Sequence, residues 1–359
     1  MPFLKLKEDP TPHPRKWWHL PLLIILFIGT ALVIRQRYST PNTAEDTAWN
    51  ANQLKQTEGT VFGTFYHITY QSDSIWNAGI EQTMKDVDNS LSPFNPKSVI
   101  SAINKNTSDK ADKLFTQVFL LAKEVSNSTH GAFDITVAPL VNHWGFGFEA
   151  KDSLPDNKAR IDSLLQFVGF EKVSLKDEHI IKTDSRIILD CSAIAKGFGV
   201  DQVGRYLESK GVKNYMVEIG GEVRVRGYNP KGKQWHIGIN KPQDDPLSEN
   251  QELQDIVEVE NVSMATSGNY RNFYIKNNKK YAHTIDPRTG YPVQHSILSA
   301  TVFAQDCATA DAYATAFMVL GLQEAKQILN KHTELKAYFI FTNDKGQLDT
   351  WHSKGLKIE

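Results

Sequence analysis

Cysteine is scarce in this sequence, with only 2 among 359 residues. So low a number excludes a disulfide-stapled scaffold and a Cys-rich zinc or iron–sulfur protein. An excess of positive charge is also missing, because 40 Lys and Arg face 41 Asp and Glu and the formal net charge is −1. A nucleic-acid-binding protein carries a basic excess to meet phosphates, so this balance argues against that class. The hydrophobic content of 40% is enough to build a core.

One long apolar run interrupts this even composition. Between 17 and 34 the chain reads WWHLPLLIILFIGTALVI, an uncharged stretch close to the ~20 residues that a membrane-spanning helix needs. Arg15 and Lys16 precede it, and the positive-inside rule then predicts a cytoplasmic N-terminus and an exported body. Arg35 and Arg37 on the far side weaken that signal without reversing it. A cleaved signal peptide is the alternative, and it is disfavoured because no clear small-x-small cleavage site follows the run.

The residues after the run predict how the rest of the chain is organised. They are polar, with STPNTAEDTAWNANQ at their centre, which is typical of a tether. We expect four segments: a short cytoplasmic N-terminus at 1–16, a transmembrane signal anchor at 17–34, a polar tether at 35–58 and a catalytic domain at 59–359.

Strand and helix patterns alternate irregularly along this body. Few regular strand–helix–strand units occur, which favours an α+β fold with largely antiparallel sheets and packed helices. Apolar–polar alternation predicts strands near 60–70, 214–228, 234–239, 256–265, 280–285, 297–304 and 336–341. Helical periodicity predicts helices near 76–90, 111–128, 156–167, 308–320 and 323–331, with a further helix ending at Gly211.

Three glycine-containing segments are able to bring backbone close to a ligand: AKGFG at 195–199, EIGGE at 218–222 and TSG at 266–268. Glycine permits close approach, and a helix start presents free N–H groups to an anion. None of the three fits a P-loop or a dinucleotide-binding fingerprint. Taken singly, each is interpreted as an ordinary turn.

The segment AHTIDPRTGYP, at 282–292, gathers reactive groups where a predicted strand gives way to a turn. A histidine is able to accept a proton near neutral pH, so His283 is a candidate general base. The competing interpretation is a tight turn in which Asp286 bonds its own backbone, while Pro287 and Gly290 set the geometry. On the chemistry alone the two interpretations are about equally supported.

A possible metal site lies in DCATADAYATAFMVLG, at 306–321. Asp311 and Thr315 are spaced i, i+4, so a helix places both on one face. A carboxylate and a hydroxyl are hard oxygen donors that suit Mg²⁺. An isolated D-x-x-x-T is a weak signal, however, and by itself it favours a solvated Asp and a Thr bonded back to its own helix.

The two cysteines, Cys191 and Cys307, each stand a few residues before one of these segments. If the segments converge, the thiols are close enough to pair in an exported protein. Two separate buried thiols are the favoured interpretation, because spacing along the chain does not fix the Cα separation that a disulfide needs.

Taken together, these motifs resemble those of the FAD:protein FMN transferase (ApbE) family. The resemblance runs from about Thr60 to Gly321, and its specificity comes from many motifs in consistent order. The motifs are FGT at 62–64, SPFNPKSVISAIN at 92–104, GAFDITVAPLVNHWGFG at 131–147, LDCSAIAKGFGVD at 189–201, EIGGEVRVRG at 218–227, ATSGNY at 265–270, HTIDPRTGYP at 283–292 and TADAYATAFMVLG at 309–321.

The resemblance implies a Mg²⁺-dependent enzyme on a T-fold-like flavin transferase body. Such an enzyme takes FAD as substrate, transfers its FMN moiety to a Thr or Ser hydroxyl of an acceptor protein and releases AMP. The family's metal ligands fall on the backbone carbonyl of Ala193 and on Asp311 and Thr315, and its catalytic histidine falls on His283. Its flavin contacts fall on Phe62, Phe94, Ala132, Phe133, Asp134, Asp190, Lys196 and Ile285.

The same resemblance implies partners and a location. The expected acceptors are flavin-carrying subunits of membrane electron-transfer complexes, of the sodium-translocating NADH:quinone reductase or Rnf type. The expected location is the inner membrane, with a periplasmic catalytic domain. Two other functions stay open: a Mg²⁺-dependent FAD pyrophosphatase that gives AMP and FMN, and a non-catalytic exported FAD-binding protein. A candidate metal pair, base and lysine in one chain favour an enzyme.

Overall fold

The computed structural model describes residues 49–149, 157–242, 252–269, 273–276 and 279–359. The predicted cytoplasmic N-terminus and the predicted anchor at 17–34 lie outside these residues, as does most of the predicted tether. Within the described ranges, no helix combines the length and the apolar character that crossing a bilayer requires.

The body is built from short strands and helices in mixed order. The strands are β1 Leu54–Val61, β2 Thr64–Gln71, β3 Val173–Lys176, β4 His179–Lys182, β5 Tyr215–Ile219, β6 Glu222–Arg226, β7 Trp235–Asn240, β8 Leu253–Val259, β9 Ser263–Gly268, β10 Phe273–Lys276, β11 Lys279–Ala282, β12 Ile297–Ala304, β13 Lys336–Thr342, β14 Leu348–His352 and β15 Lys357–Ile358. The helices are α1 Asn77–Leu91, α2 Val99–Asn104, α3 Lys113–Ser128, α4 Ala138–His143, α5 Lys158–Leu165, α6 Ala195–Ser209 and α7 Cys307–Lys331.

The largest sheet has eight strands in the order β1-β2-β5-β6-β9-β12-β13-β14. A three-stranded sheet has the order β15-β8-β7, and β3-β4 and β10-β11 form separate hairpins. Every pair in these sheets is antiparallel. The predicted α+β class with largely antiparallel sheets is therefore confirmed.

The large sheet is covered on both faces, as strand β12 shows. Its neighbours Val302 and Phe303 point to opposite faces, and both are buried. Val302 belongs to the core that packs against α3 and α7. Phe303 belongs to a second core, which includes Trp235 of β7 and Val257 of β8. The three-stranded sheet thus covers part of the face opposite the helices.

The N-terminus of α7 is held by a side chain of α6. The buried Asp201 accepts hydrogen bonds from Cys307 N and Ala308 N, both at 2.9 Å. Arg224 Nη1 of β6 donates to Asp201 Oδ1 at 2.7 Å. A carboxylate at this position satisfies free N–H groups and complements the helix dipole. The network therefore fixes where α7 begins relative to α6 and β6.

The structure corrects the sequence-based boundaries at the N-terminal end of the body. The predicted single strand at 60–70 is the end of β1, a tight turn and most of β2. Strand β1 begins at Leu54, inside the segment expected to be tether, and Trp49 is already buried. The sequence LKQTEGTV lacks a strong apolar alternation because β1 is an edge strand of the sheet, where polar side chains are tolerated.

The predicted helices are confirmed in position, including the interruption near the C-terminus. Helix α7 is broken at Gly321, whose φ is +76°, and this break separates the two helices predicted at 308–320 and 323–331. The short helices α2 and α4 were not predicted, because each is too short to show a clear periodicity.

Candidate active site

A cavity of about 1100 Å³ lies among the β1–β2 and β5–β6 turns, strand β7 and helices α6 and α7. Its wall contains all the residues that the family resemblance singled out, which come from motifs far apart in the sequence. They are Phe62, Phe94, Ala132, Phe133, Asp134, Asp190, Ala193, Lys196, His283, Ile285, Asp311 and Thr315. The fold therefore brings the sequence-predicted site together in one place.

The apolar side of the cavity carries exposed aromatic rings. Phe94 is 71% exposed although it is a large hydrophobic residue, and it lies edge-on to Phe148 with ring centroids 6.1 Å apart. Exposed aromatic surface beside a cavity is a common feature of ligand sites. A planar ring system is able to stack against such a surface.

Phe62 reaches the cavity from a strained turn. It has φ +52° and the next residue, Gly63, has φ +73°, as a two-residue hairpin turn between β1 and β2 requires. A non-glycine residue in this conformation costs about 1–2 kcal/mol. A Cβ on Gly199 of α6 would lie 2.6 Å from the Phe62 ring, so glycine is needed for the ring to approach the helix. The ring is thus fixed between the turn and α6.

Three charged side chains meet in the cavity wall. Lys196 forms an ion pair with Glu222, and both Glu222 and Asp311 are buried. Burial raises the pKa of Glu222 to about 7; the charge of Lys196 opposes this rise and that of Asp311 adds to it. Burial also raises the pKa of Asp311, against the effect of Lys196 and of the Gly197 N–H. Burial alone would lower the pKa of Lys196, but the two carboxylates outweigh it and the pKa is raised.

A carboxylate of α7 satisfies a backbone N–H in the first turn of α6. Gly197 N donates to Asp311 Oδ2 at 3.0 Å. Gly197 is the third residue of α6, so its N–H has no acceptor within the helix and Asp311 satisfies it. The first hydrogen bond of the helix itself runs from Phe198 N to the carbonyl of the N-cap residue Ile194, at 3.0 Å. Ala193, which lines the cavity, precedes the N-cap, so its carbonyl is not part of the helical ladder.

The interpretation of Asp311 and Thr315 as a solvated Asp and a back-bonded Thr is wrong. Asp311 is buried and is held by Gly197. Thr83 and Thr129 do bond back to the carbonyl four residues earlier, whereas within the described ranges Thr315 makes no such bond. Both side chains line the cavity one helical turn apart on α7. Both residues therefore bring an oxygen-bearing side chain to the cavity wall.

The segment 282–292 combines a cavity-lining histidine with a tight turn. His283 lines the cavity, with its ring 6.3 Å from that of Phe146. Asp286 shapes the turn, because its carboxylate accepts two bonds from the Arg288 guanidinium, both at 2.9 Å. Gly290 N donates to Asp286 O at 2.8 Å, with φ +80° at the glycine. The turn thus fixes the chain next to His283.

The remaining predicted carboxylates hold loops of the cavity wall. Asp134 Oδ1 accepts from Thr136 N at 2.8 Å and from Thr136 Oγ1 at 2.7 Å. Asp190 Oδ1 accepts from Ser192 N at 2.8 Å and from its Oγ at 2.5 Å. Burial raises the pKa of both carboxyl groups, and these bonds partly offset that rise.

Sequence reasoning missed Glu222 as a member of the site. EIGGE was interpreted as a turn, and the turn is present, with φ +63° at Gly220 and +99° at Gly221. The available signal was a carboxylate next to the buried Val223 in a short strand. A buried carboxylate needs a charge partner, which here is Lys196. TSG, by contrast, is part of strand β9 rather than a turn.

Cys191 and Cys307 are both buried and both free. Burial raises the pKa of each thiol. The favoured interpretation of two separate buried thiols is therefore confirmed.

The fold and the cavity define an α+β enzyme body with an aromatic wall beside buried charges. The family model of the ApbE family matches residues 62–339. The FAD:protein FMN transferase of Haemophilus influenzae is 37% identical over 305 residues, which cover 80% of this chain and 86% of the relative. That of Vibrio cholerae is 36% identical over 297 residues, covering 80% and 87%.

Solved structures agree with these relatives. The flavin transferase ApbE from Vibrio cholerae superposes with a TM-score of 0.75 at 34% identity, covering 84% of this chain and 98% of that one. The Pseudomonas stutzeri flavinyl transferase ApbE, in its apo form, gives 0.75 at 27% identity, covering 84% and 95%. The chain belongs to the ApbE family, and the predicted enzyme class, a flavin transferase, is confirmed.

Proposed function

We propose that this chain transfers the FMN moiety of FAD to a Thr or Ser hydroxyl of an acceptor protein and releases AMP, in a Mg²⁺-dependent reaction. The observation that carries the proposal is one cavity with two unlike walls. An aromatic surface at Phe62 and Phe94 suits the flavin ring, and an oxygen-rich region at Asp311 and Thr315 suits a metal beside the pyrophosphate.

The residues present fit a magnesium ion. Ala193 O, the Asp311 carboxylate and Thr315 Oγ1 are all hard oxygen donors, and Ala193 precedes the N-cap of α6, so its carbonyl is not part of the helical ladder. Glu222 Oε2 is buried and has no hydrogen-bond partner among the described residues. Two carboxylates therefore share one lysine, which leaves local negative charge for a cation. A bound Mg²⁺ supplies Lewis-acid polarisation of phosphate oxygens.

The chain's own residues account for the other steps. The acceptor oxygen forms a bond to the phosphorus of the FMN half, the pyrophosphate P–O bond breaks, and AMP leaves with that bridging oxygen. The acceptor hydroxyl loses a proton, and His283 is the side chain of the cavity that we assign as its base. Lys196 adds positive charge against the phosphates. Phe62 and Phe94 orient the flavin ring.

We further propose that the body acts on the periplasmic side of the inner membrane, tethered by the apolar segment 17–34. The basic pair Arg15 and Lys16 ahead of that segment supports this orientation. The proposed acceptors are flavin-carrying subunits of membrane electron-transfer complexes, of the NADH:quinone reductase or Rnf type. Such subunits would share the membrane with the tethered enzyme.

Intact-mass spectrometry of candidate acceptors tests the proposed function. The full chain is incubated with FAD, Mg²⁺ and each acceptor subunit, and we expect the acceptor mass to increase by one FMN group while AMP appears in equal amount. AMP and free FMN without any acceptor adduct would indicate a pyrophosphatase. Intact FAD after incubation would indicate a binding protein.

Two variants test the assigned roles. Asp311→Ala should lower Mg²⁺-dependent transfer by at least about 100-fold in a folded protein, since a metal ligand is lost. Glu324→Ala is the matched control, an exposed carboxylate on the same helix, and it should retain transfer. His283→Ala should lower the rate far more than FAD affinity. Equal losses of rate and affinity would assign His283 a structural role.

A further inference from the structure

Strand β7 borders the cavity with its edge rather than with one face. Consecutive residues 236–240 all line the cavity. Successive side chains of a strand point to opposite faces, so a strand that presented one face would contribute only alternate residues. Strand β7 pairs with β8 on one side and, among the described residues, is the last strand of its sheet on the other. Its open edge therefore faces the cavity.

The hydrogen bonds between β8 and β15 show which backbone groups of β7 are not bonded to β8. Glu359 N donates to Ile256 O at 3.0 Å, so the backbone groups of Ile256 point toward β15. Ile256 stands opposite Gly238. Two residues opposite each other in an antiparallel pair either exchange backbone hydrogen bonds or both turn their backbone groups outward. Ile256 turns outward, so Gly238 turns its N–H and C=O away from β8. Because this direction alternates along a strand, His236 also turns its N–H and C=O away from β8.

The far end of β7 follows the same pattern after a bulge. The register shifts between Ile239 and Asn240. Lys241 N then donates to Glu252 O at 2.8 Å, so Lys241 faces β8 and Asn240 faces the open edge. Three residues at spacings of two, His236, Gly238 and Asn240, thus present N–H and C=O groups along the cavity.

Other open edges in the described part of the chain do not offer this arrangement. The outermost strands of the large sheet, β1 and β14, contribute no residue to the cavity wall. The hairpins β3–β4 and β10–β11 contribute none either. Gly238 also leaves the middle of the β7 edge without a side chain, which permits close backbone approach.

We propose that the open edge of β7 receives the segment of the acceptor protein that carries the reactive Thr or Ser, in extended conformation, as an added antiparallel or parallel strand. This inference rests on the proposed transfer, since only a protein substrate must bring backbone into the cavity. Main-chain hydrogen bonds give such strand addition its affinity. Because alternate residues of an added strand share a face, the pairing also directs a chosen hydroxyl toward the cavity.

Two variants at one position isolate the free N–H of β7. Gly238→Pro removes the N–H that faces the open edge and leaves the bonds to β8 in place, as proline is tolerated on an edge strand. Gly238→Ala is the matched control, since it adds a Cβ and keeps the N–H. The added Cβ meets the end of the Leu253 side chain, which is 48% exposed and free to move.

The probe is the flavin-carrying subunit of a sodium-translocating NADH:quinone reductase, with its flavin-accepting Thr replaced by Ala so that it binds without reacting. We expect it to slow amide hydrogen exchange in 236–240 of the full chain. We expect its affinity to fall by about tenfold or more in Gly238→Pro and to stay within about twofold in Gly238→Ala. FAD binding by both variants is measured alongside.

Several outcomes would overturn the proposal. These are protection of β1 or β14 in place of 236–240, equal affinity of the two variants, or an equal loss of FAD binding in Gly238→Pro. Failure of the transfer itself is recognised separately, because the unaltered subunit would then gain no FMN mass with the unaltered enzyme. If that subunit is flavinylated without protection of β7, only the docking proposal fails.

Discussion

At the scale of single residues, the site depends on charges that are costly to bury. Glu222 and Asp311 are both buried, and the single positive charge of Lys196 interacts with both carboxylates. Burying an unpaired carboxylate is unfavourable, so proteins neutralise it, pair it or give it a metal. Lys196 pairs with Glu222. The remaining negative charge is the feature that a divalent cation would complete.

The raised pKa of Glu222 gives a pH dependence with a definite sign. The carboxyl group has a pKa of about 7 in the folded chain, compared with its ordinary 4.5. Between these values the folded chain holds a proton that the unfolded chain has released, so raising the pH through this window lowers stability. In metal-free protein the free energy of unfolding should fall by up to about 3 kcal/mol relative to Glu222→Gln.

Urea unfolding at a series of pH values checks this prediction. The variant Glu222→Gln has the same shape and does not titrate, so the difference between the two curves reports the titration of Glu222 together with its electrostatic interaction with Asp311. A difference that stays constant from pH 4.5 to 7, or changes in the opposite direction, contradicts the pKa assigned to Glu222.

At the scale of elements, the contact between α6 and α7 determines the geometry of the candidate metal site. A Cβ placed on Gly197 would lie 2.4 Å from Cys307 O and 2.8 Å from Asp311 Cβ. Only glycine lets the first turn of α6 approach α7 so closely. That approach also allows Gly197 N to reach Asp311. One glycine therefore links the packing of two helices to the orientation of a candidate ligand.

Gly197→Ala should consequently damage both stability and metal binding. The clash with backbone atoms requires the helices to separate, which we expect to cost about 1–3 kcal/mol. Displacement of Asp311 should weaken Mg²⁺ binding by about 10–100-fold. Urea unfolding and calorimetric titration with Mg²⁺ measure the two effects.

Gly346→Ala, in the turn between β13 and β14, is the control for Gly197→Ala. Gly346 has φ +76° with nothing within 4 Å of an added Cβ, so its replacement brings backbone strain without a clash. It should cost about 1 kcal/mol and leave Mg²⁺ binding unchanged. Equal Mg²⁺ affinity in Gly197→Ala and Gly346→Ala would contradict the role assigned to the α6–α7 contact.

The elements also show where prediction from sequence succeeds. Helices α1, α3 and α7 have enough turns for a 3.6-residue pattern to emerge, and even the break at Gly321 was visible. The first six residues of strand β1, Leu54–Gly59, were missed, because an edge strand carries polar residues on both faces. The β7 edge has no sequence signal at all, since hydrogen-bonding partners are a property of the assembled sheet.

At the scale of the whole molecule, the described body begins before its first strand. Trp49 is buried, and its ring lies edge-on to that of Trp235, 6.1 Å between centroids. The described residues from Trp49 onward belong to one unit by their internal contacts. The segment from Trp49 to Leu54 is thus part of the packed body, although its composition indicated a tether.

A chain that starts at Asp46 should therefore keep its activity and lose its membrane attachment. We expect transfer within about twofold of that of the full chain, because the packed residues are all retained. Cell fractionation should find the full chain with membranes and the shortened chain in the soluble fraction. A shortened chain that still sediments with membranes would place the attachment elsewhere than in 17–34.

The candidate site, like the fold, was predictable only in part. Family motifs identified residues from Phe62 to Thr315 that the structure places around one cavity. Motif spacing could not show that Glu222 pairs with Lys196, which lies 26 positions earlier. Nor could it show that the Gly197 N–H donates to Asp311, which lies 114 positions later. Such relations arise from packing between distant segments.

The two buried thiols have a practical consequence for where this protein can mature. Thiolate is the form that oxidises and exchanges disulfides, and burial keeps Cys191 and Cys307 protonated. The fold therefore has no disulfide that an oxidant must form, and its buried thiols resist oxidation. The same polypeptide is chemically suited to reducing and to oxidising compartments, so recombinant production can use either without redesign of its cysteines.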